Sequence, residues 1–249
     1  MDILHVTQHR PFSLPTKPWV MTQTWNHLLF AHWPVSVSYI KEFIPSPLHV
    51  DTLDGFAWVG IVPFDMSHIR LRGLPPIPGT SSFPEINVRT YVTYDGKPGV
   101  FFFSLDAAHL LAVIAARKLL SLPYYRARID VRLTAKEIIY HSHRIHRPSY
   151  PASFRAHYTP TSDVFYASPG SMEQWLTERY CLYTYDDRYI YRGDIHHTPW
   201  ELQHAGADIV HSSMLAPLRF PLAKDQPILH YAKKKKVVIW PFVRVTTLA

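Results

Sequence analysis

The sequence predicts an α+β fold that consists mostly of antiparallel strands. The chain of 249 residues has an aromatic share of 14%, which favours strands over helices. Its 22 prolines and nine glycines indicate rigid loops between many short elements. Only residues 106–121 show a long helical pattern. Since β-rich chains of this length often form one domain, we expect a single domain over residues 1–249, with residues 1–20 as an N-terminal extension.

The first half of the chain contains one short helix and several strands. Residues 35–43 place apolar side chains at helical spacing and predict a short helix. The continuous apolar run at residues 56–64 predicts a strand covered on both faces. Residues 86–92 alternate between apolar and polar side chains. Because residues 94–97 contain the Asp-Gly pair typical of tight turns, we expect a hairpin there, with residues 99–104 as the partner strand.

The long helical pattern at residues 106–121 has recognisable ends. Asp106 is a suitable N-cap, and Arg117 and Lys118 lie near the C-terminus, where cations are favoured. Pro123 marks the stop. The helix is apolar nearly all round, so we expect it to be buried.

The second half of the chain returns to strands. Residues 127–133 alternate, with the charged side chains expected to face solvent. Residues 171–178 predict a short helix that leads into a strand at residues 179–185. An Asp-Asp turn then connects that strand to residues 189–195. The sum favours a sheet-dominated fold with one buried helix.

Charge and cysteine content limit the partners and the compartment. The net charge is +7 with histidines neutral, which permits contact with nucleic acid or an anionic membrane. The positive charge is scattered except at residues 233–236, which we interpret as a turn before a strand or a protected sheet edge. We therefore expect neither partner. The single Cys181 and the lack of a long apolar stretch favour a cytoplasmic protein.

Four polar side chains lie at alternate positions of one predicted strand: Glu85, Asn87, Arg89 and Tyr91. One interpretation is a solvated strand face with a surface pair between Glu85 and Arg89. The other is a cavity wall, in which Glu85 acts as a general base or an anchor and Arg89 clamps a carboxylate or a phosphate. Alternation alone leaves both open.

The histidines give weaker signals. His196 and His197 are adjacent, so only one of them can face the interior, and we take His196 as the candidate. His141 and His143 share a strand face, but no carboxylate or cysteine completes a metal-ligand pattern. P-loop, G-x-G-x-x-G, G-x-S-x-G, H-E-x-x-H and C-x-x-C motifs are absent from the sequence. We therefore expect no metal and no cofactor.

Several motifs resemble the YqjF-like family, a conserved bacterial family of undefined function. They are W-N-H-L-L-F-A-H-W-P-V at residues 25–35, D-G-F-A-W-V-G-I-V-P-F at residues 54–64, F-P-E-I-N-V-R-T-Y-V at residues 83–92 and R-G-D-I-H-H-T-P-W-E-L-Q at residues 192–203. The resemblance extends over almost the whole chain after residue 20. It implies no defined chemistry.

The family is in turn distantly similar to acetoacetate decarboxylases, which implies a β-cone or barrel with the site in its lumen. In those enzymes a glutamate faces a Schiff-base lysine in a Pro-Lys-Lys turn after a helix. By this resemblance Glu85 matches the glutamate, Arg117 matches an arginine of the helix, and Pro123 matches the proline. Tyr124 stands at the lysine position. A phenol cannot form an imine with a ketone, so the resemblance implies the fold without Schiff-base decarboxylation.

Three functions remain open at this point. The first is a small-molecule-binding protein whose decarboxylase-like cavity lacks the Schiff-base lysine and holds an apolar or aromatic ligand with a polar or anionic group. The second is a non-covalent acid/base enzyme for a small carbonyl or carboxylic-acid compound, with Glu85 as the catalytic candidate. The third is a basic interaction protein with an inert, internally paired lumen. A homo-oligomer is compatible with all three. The binding candidates are Glu85, Asn87, Arg89, Tyr91, Arg117, Tyr124 and His196.

Overall fold

A computed structural model describes residues 3–77, 79–219 and 226–248. Within these ranges the chain forms thirteen β-strands, three α-helices and two short 3-10 turns. The strands are β1 (Met21–Val35), β2 (His49–Val50), β3 (Ala57–Leu71), β4 (Phe83–Tyr94), β5 (Lys97–Ala107), β6 (Tyr124–Leu133), β7 (Ile138–Arg144), β8 (Ser153–Pro160), β9 (Cys181–Tyr185), β10 (Tyr189–His196), β11 (Leu202–Ser212), β12 (Ile228–Ile239) and β13 (Val243–Thr247). The helices are α1 (Val37–Lys41), α2 (Leu110–Leu120) and α3 (Met172–Thr177).

The strands pair into one sheet that returns on itself. Strands β1, β3, β4, β5, β9, β10 and β12 close a ring, because β5 pairs with both β4 and β9 and β12 pairs with both β1 and β10. Strands β6, β7, β8 and β11 form a second path from β5 to β12. The parallel pairings given for the described strands are β5 with β6 and β5 with β9. The predicted α+β fold with mostly antiparallel strands is confirmed.

Strand β4 separates the interior of the ring from the main apolar core. Ile86 and Val88 point into that core, where Tyr140 and Phe154 from the second path also pack. The side chains at positions 85, 87 and 89 point the other way, into the ring. The predicted alternation is therefore confirmed, but both faces of the strand are covered. The predicted hairpin after β4 is confirmed as well, since β4 and β5 pair antiparallel up to Tyr94 and Lys97.

Helix α2 differs from the prediction in its start and in its burial. Asp106 lies within β5 instead of capping the helix, and the N-cap is His109, whose Nδ1 accepts a hydrogen bond from the Ala112 amide at 3.2 Å. The predicted burial was wrong, because Leu111 is 63% exposed and Leu119 is 79% exposed. The helix lies at the edge of the cavity inside the ring instead of within the core.

The lysine run at residues 233–236 lies inside β12, so its interpretation as a turn before a strand was wrong. Residues 234–236 pair with β1, while β11 and β10 pair with β12 at residues 230–232 and 238–239. Lys235 is buried, and its Nζ donates a hydrogen bond to the Pro199 carbonyl at 2.6 Å. The run is therefore part of the ring wall.

The described part of the N-terminal extension packs against the ring. The Trp240 indole donates a hydrogen bond to the Lys17 carbonyl at 2.7 Å, and His9 Nε2 donates to the His197 carbonyl at 2.9 Å. Among the described helices, none combines the length and apolar character needed to cross a membrane. One domain over residues 1–249 and a cytoplasmic location stay predictions.

Candidate functional site

The ring encloses a cavity of about 630 Å³. This volume is typical of sites for small organic molecules. Its walls are mostly apolar, and the opening lies beside α2. The apolar lining includes Leu28, Phe30, Val62, Phe64, Phe83, Val100, Phe102, Leu105, Leu111, Leu119 and Leu122. The polar lining includes Glu85, Asn87, Arg89, Tyr124, Arg179 and His197.

Glu85 and Tyr124 form a buried pair in this cavity. The Tyr124 hydroxyl donates a hydrogen bond to Glu85 Oε2 at 2.7 Å, and Glu85 is only 2% exposed. Burial raises the pKa of Glu85 to about 8, and the nearby Asp106 charge raises it further. Hydrogen bonds from Tyr124 and Asn87 lower the pKa and offset part of this shift. Burial also raises the pKa of Tyr124 well above its usual range. At neutral pH the pair is therefore uncharged and offers both donors and acceptors to a ligand.

The turn after α2 fixes the position of Tyr124. Ser121 ends the helix in the left-handed conformation, with φ of 52°. Arg117 Nη1 then donates a hydrogen bond to the Tyr124 carbonyl at 2.7 Å. Tyr125 lies between two guanidinium groups, 5.5 Å from that of Arg117 and 4.0 Å from that of Arg144. Arg117 is exposed and holds the turn, while Arg144 forms the ion pair with Asp106.

Asp106 and Arg144 form a buried ion pair close to the Glu85–Tyr124 pair. Arg144 Nη2 donates to Asp106 Oδ1 at 2.6 Å, and Arg144 Nε donates to Asp106 Oδ2 at 2.9 Å. Asp106 lies opposite Ile86 in the β4–β5 register, one residue from Glu85. Burial raises the pKa of Asp106, and the contacts with Arg144 oppose that shift.

Arg89 brings a positive charge to the cavity without a carboxylate partner. Within the described residues, no Asp or Glu oxygen lies within ion-pair distance of its guanidinium. Its Nε is buried and has no hydrogen-bond partner, and the same is true of Asn87 Oδ1. The guanidinium carbon lies 5.4 Å from the Phe30 ring centroid and 5.8 Å from that of Tyr91. Polar groups buried in this way favour a bound ligand.

Tyr91 supports the cavity from behind instead of lining it. Its hydroxyl donates a hydrogen bond to the Leu176 carbonyl at 2.6 Å. Because that bond uses the one hydroxyl proton, His32 Nε2 donates to the Tyr91 oxygen, at 2.7 Å. Tyr91 therefore has no hydroxyl proton left for a ligand, unlike the expectation from its place on the polar face.

Gly60 allows His32 and Arg89 to converge. In the register of β1, β3 and β4, Gly60 lies opposite His32 on one side and opposite Arg89 on the other. A Cβ at position 60 would lie 2.9 Å from His32 Cδ2 and 3.5 Å from Arg89 Cγ. The first distance is a clash, so a residue without a side chain is required here.

Replacement of Gly60 by alanine is expected to displace the His32 ring and to destabilise the fold by about 1–3 kcal/mol, since overpacking a closed core costs this much. Urea denaturation checks the value. Gly206→Ala is the matched control, because its Cβ would meet only Thr161 Cγ2, at 3.3 Å. Equal stability of the two variants would contradict the close contact at Gly60.

His197, and not His196, lines the cavity. His196 Nε2 donates to the Ile3 carbonyl at 2.8 Å, and its Nδ1 lies 3.1 Å from Arg10 Nη1. Both ring nitrogens therefore contact the N-terminal segment. Burial lowers the pKa of His197 to about 3, so its ring is neutral. The sequence showed that only one of the two faces the interior, but not which one. In the described parts of the chain no cluster of three or more His, Cys, Asp or Glu side chains has the geometry of a metal site.

Residues 22–236 match the model of DUF2071, a family described as an uncharacterized conserved protein. The chain belongs to the DUF2071 family. It is 47% identical over 234 residues to the uncharacterized protein YqjF of Bacillus subtilis strain 168, and the match covers 94% of this chain and 96% of YqjF. The resemblance to YqjF seen in the sequence is confirmed.

Solved structures with a similar fold are acetoacetate-decarboxylase-like. The enduracididine biosynthesis enzyme MppR, with HEPES buffer bound, has a TM-score of 0.64 at 10% identity, with 95% of this chain and 91% of MppR covered. An acetoacetate-decarboxylase-like enzyme from Sphingomonas wittichii RW1 has a TM-score of 0.62 at 11% identity, with 96% and 97% covered. Acetoacetate decarboxylase from Legionella pneumophila has a TM-score of 0.60 at 13% identity, with 98% and 95% covered. These identities show the fold alone, and they confirm a decarboxylase-like cone for this DUF2071 chain.

Sequence reasoning missed three residues of this DUF2071 site. Arg179 was interpreted only as the start of a strand and Gly60 as part of an apolar run, and Arg144, next to His143, was given no role. Gly60 had the best signal, because a glycine inside an apolar strand indicates close approach of other groups. The partners of Arg144 and Arg179 lie 38 and 128 residues away in sequence, so no local pattern pointed to them.

Proposed function

We propose that this DUF2071 protein binds a small, largely apolar organic molecule with polar oxygen groups, inside the cavity and without a covalent bond. The observation that carries the proposal is the buried, uncharged Glu85–Tyr124 pair in a cavity of about 630 Å³ with apolar walls. Apolar walls supply affinity, while a few fixed polar groups orient the ligand. The proposal requires no metal, nucleotide cofactor, nucleic acid or membrane.

The chemistry of the lining residues supports non-covalent binding. Among the described residues that line the cavity there is no lysine, and Tyr124 occupies the position next to Glu85. Lys235 is buried beside the cavity residue Trp200, with its Nζ 5.7 Å from the indole centroid. However, that Nζ donates to the Pro199 carbonyl, which ties it to the wall. A phenol forms no imine with a ketone, so ligand carbonyls would be held by hydrogen bonds.

An acid/base enzyme is the second candidate function, and the state of Glu85 favours it. A carboxyl with a pKa of about 8 can take up or release a proton near neutral pH, which is the requirement for general acid/base catalysis. A carbonyl compound bound at Tyr124 would place its acidic C–H near Glu85. The third function, an interaction protein with an inert lumen, has less support. Within the described residues Arg89 has no carboxylate partner, and the cavity is not filled by side chains.

A ligand screen with a trapping step tests the proposal. Small carboxylic acids, ketones and aromatic acids are added singly, and the melting temperature is measured. We expect some of them to raise it reversibly, and we expect no mass gain when borohydride is added to the ketone-bound protein. Tyr124→Phe is expected to weaken carbonyl ligands about tenfold, because the protonated Glu85 carboxyl that donates to the carbonyl loses the hydrogen bond that orients it.

The control for these measurements is Arg155→Met, at an exposed site on β8, which should bind like the wild type. The proposal fails if no compound raises the melting temperature, or if borohydride fixes a ligand to a lysine. Turnover of a bound compound that is lost in Glu85→Gln would establish the acid/base enzyme instead.

A further inference from the structure

We infer that the cavity has a second polar end, an anion subsite formed by Arg89 and Arg179, and that the ligand is an elongated carboxylic acid. Its carboxylate would bind at these arginines, while a hydroxyl or carbonyl oxygen at its far end reaches Glu85 and Tyr124. This inference rests on the proposed function of the same cavity.

The two guanidinium groups both lie near the Tyr91 ring. Their central carbons lie 5.8 Å (Arg89) and 4.7 Å (Arg179) from the ring centroid, and both residues line the cavity. Arg179 is held by two contacts: its Nε donates to the Trp175 carbonyl at 2.8 Å and its Nη1 to Asp51 Oδ2 at 2.5 Å. Arg179 Nη2 and Arg89 Nε remain buried without partners. Two buried donors on two cationic groups are a suitable arrangement for carboxylate oxygens.

The charges at this end sum to one unbalanced cation. Asp51 neutralises Arg179, whereas Arg89 has no carboxylate within the described residues. His32 adds no charge, because burial holds its pKa well below the usual range. Arg89 is half-buried, and a cation partly removed from water is stabilised by an anion that pairs with it. A single carboxylate on the ligand supplies that anion.

The length of β4 separates the two polar ends. Glu85 and Arg89 are four positions apart in sequence, which corresponds to roughly 13 Å along an extended strand. The rest of the cavity wall is mostly apolar and includes Phe30 and Phe102. A ligand that reaches both ends is therefore a chain or a flat ring system with an oxygen group at each end.

Calorimetric titration with three ligands of equal length tests this assignment: octanol, octanoate and ω-hydroxyoctanoate. We expect the order of affinity to rise from octanol to octanoate to ω-hydroxyoctanoate. Arg89→Met should weaken both acids by about tenfold to a hundredfold and leave octanol within about twofold, because only the acids use the charge. Tyr124→Phe should weaken octanol and ω-hydroxyoctanoate, whose hydroxyls reach the Glu85–Tyr124 end, and leave octanoate unchanged. Arg155→Met removes an exposed positive charge and should change none of the three.

The possible results separate the subsite from the cavity itself. If Arg89→Met weakens octanol and octanoate equally, the anion subsite is wrong while binding in the cavity stands. If the wild type binds none of the three ligands nor any other compound of the earlier screen, the proposed function fails as well. If Arg89→Met does not fold, Arg89→Lys replaces it in the test. Lysine retains the charge but lacks the planar guanidinium, so the preference for octanoate over octanol should become smaller without being lost. An unchanged preference in Arg89→Lys and in Arg179→Lys would overturn the inference.

Discussion

Replacement of Glu85 by glutamine is expected to stabilise the protein, by an increment that grows as the pH rises from about 5 to 8. Burial raises the pKa of Glu85 from 4.5 to about 8. Between these values the unfolded chain has lost the proton and the folded chain keeps it, so the wild type loses stability as the pH rises. Above the folded pKa both states are ionised and the loss is complete. Glutamine has a similar shape and no charge, so it avoids a loss of roughly 5 kcal/mol at most.

Urea denaturation at several pH values from about 5 to 9 measures this increment. Glu42→Gln is the control, because Glu42 is exposed at the end of α1, and it should show no such growth with pH. A stability difference between Glu85→Gln and wild type that stays constant over this range would contradict the protonated state of Glu85. The same experiment reports on function, since a carboxyl that titrates near neutral pH is the central requirement of the acid/base alternative.

Replacement of Arg144 by methionine is expected to cost about 3–5 kcal/mol of folding free energy. The Asp106 side chain is 0% exposed and the Arg144 side chain 3% exposed. Removal of one partner leaves a buried carboxylate without compensation, and this is far more costly than loss of the pair as a whole. The Asp106→Leu/Arg144→Met double variant should therefore recover most of the loss.

Arg132→Met provides the comparison, because the Arg132–Asp130 pair is exposed at 72% and 55%. Its loss should cost less than about 1 kcal/mol. Denaturation of the four proteins, including wild type, checks both values. An Arg144→Met cost no larger than that of Arg132→Met would mean that Asp106 is hydrated or protonated in the folded chain.

The sequence predicted the local features of the site and not its enclosure. Alternation placed Glu85, Asn87 and Arg89 on one face, and Asp-Gly placed the following turn. Both signals depend only on neighbouring residues, and the structure confirms both predictions. Whether that face meets solvent or a cavity depends on pairings between strands distant in sequence, such as β10 with β12 and β5 with β9. Alternation alone contains no information about those pairings.

The errors have related physical causes. The apolar residues on all sides of α2 predicted that the helix is buried. Leu111 and Leu119 instead line the cavity and are largely exposed to solvent. Asp106 had a suitable residue type for an N-cap, but its pairing with Arg144 from β7 holds it in β5. In each case a tertiary contact overrode a correct local preference. The two histidines do point to different sides, but the choice of His196 was wrong, because its ring contacts the N-terminal segment and His197 lines the cavity.

Strand β4 is a wall shared by the cavity and the core, with cavity-facing side chains at positions 85, 87 and 89 and core-facing side chains at positions 86, 88 and 92. The two sets touch different neighbours although they alternate along one backbone. Selection can therefore act on recognition at one set while the packing at the other stays unchanged. Within one fold, relatives of this chain can diverge in what they bind through a few exchanges on a single strand, with no need to rebuild the core behind it.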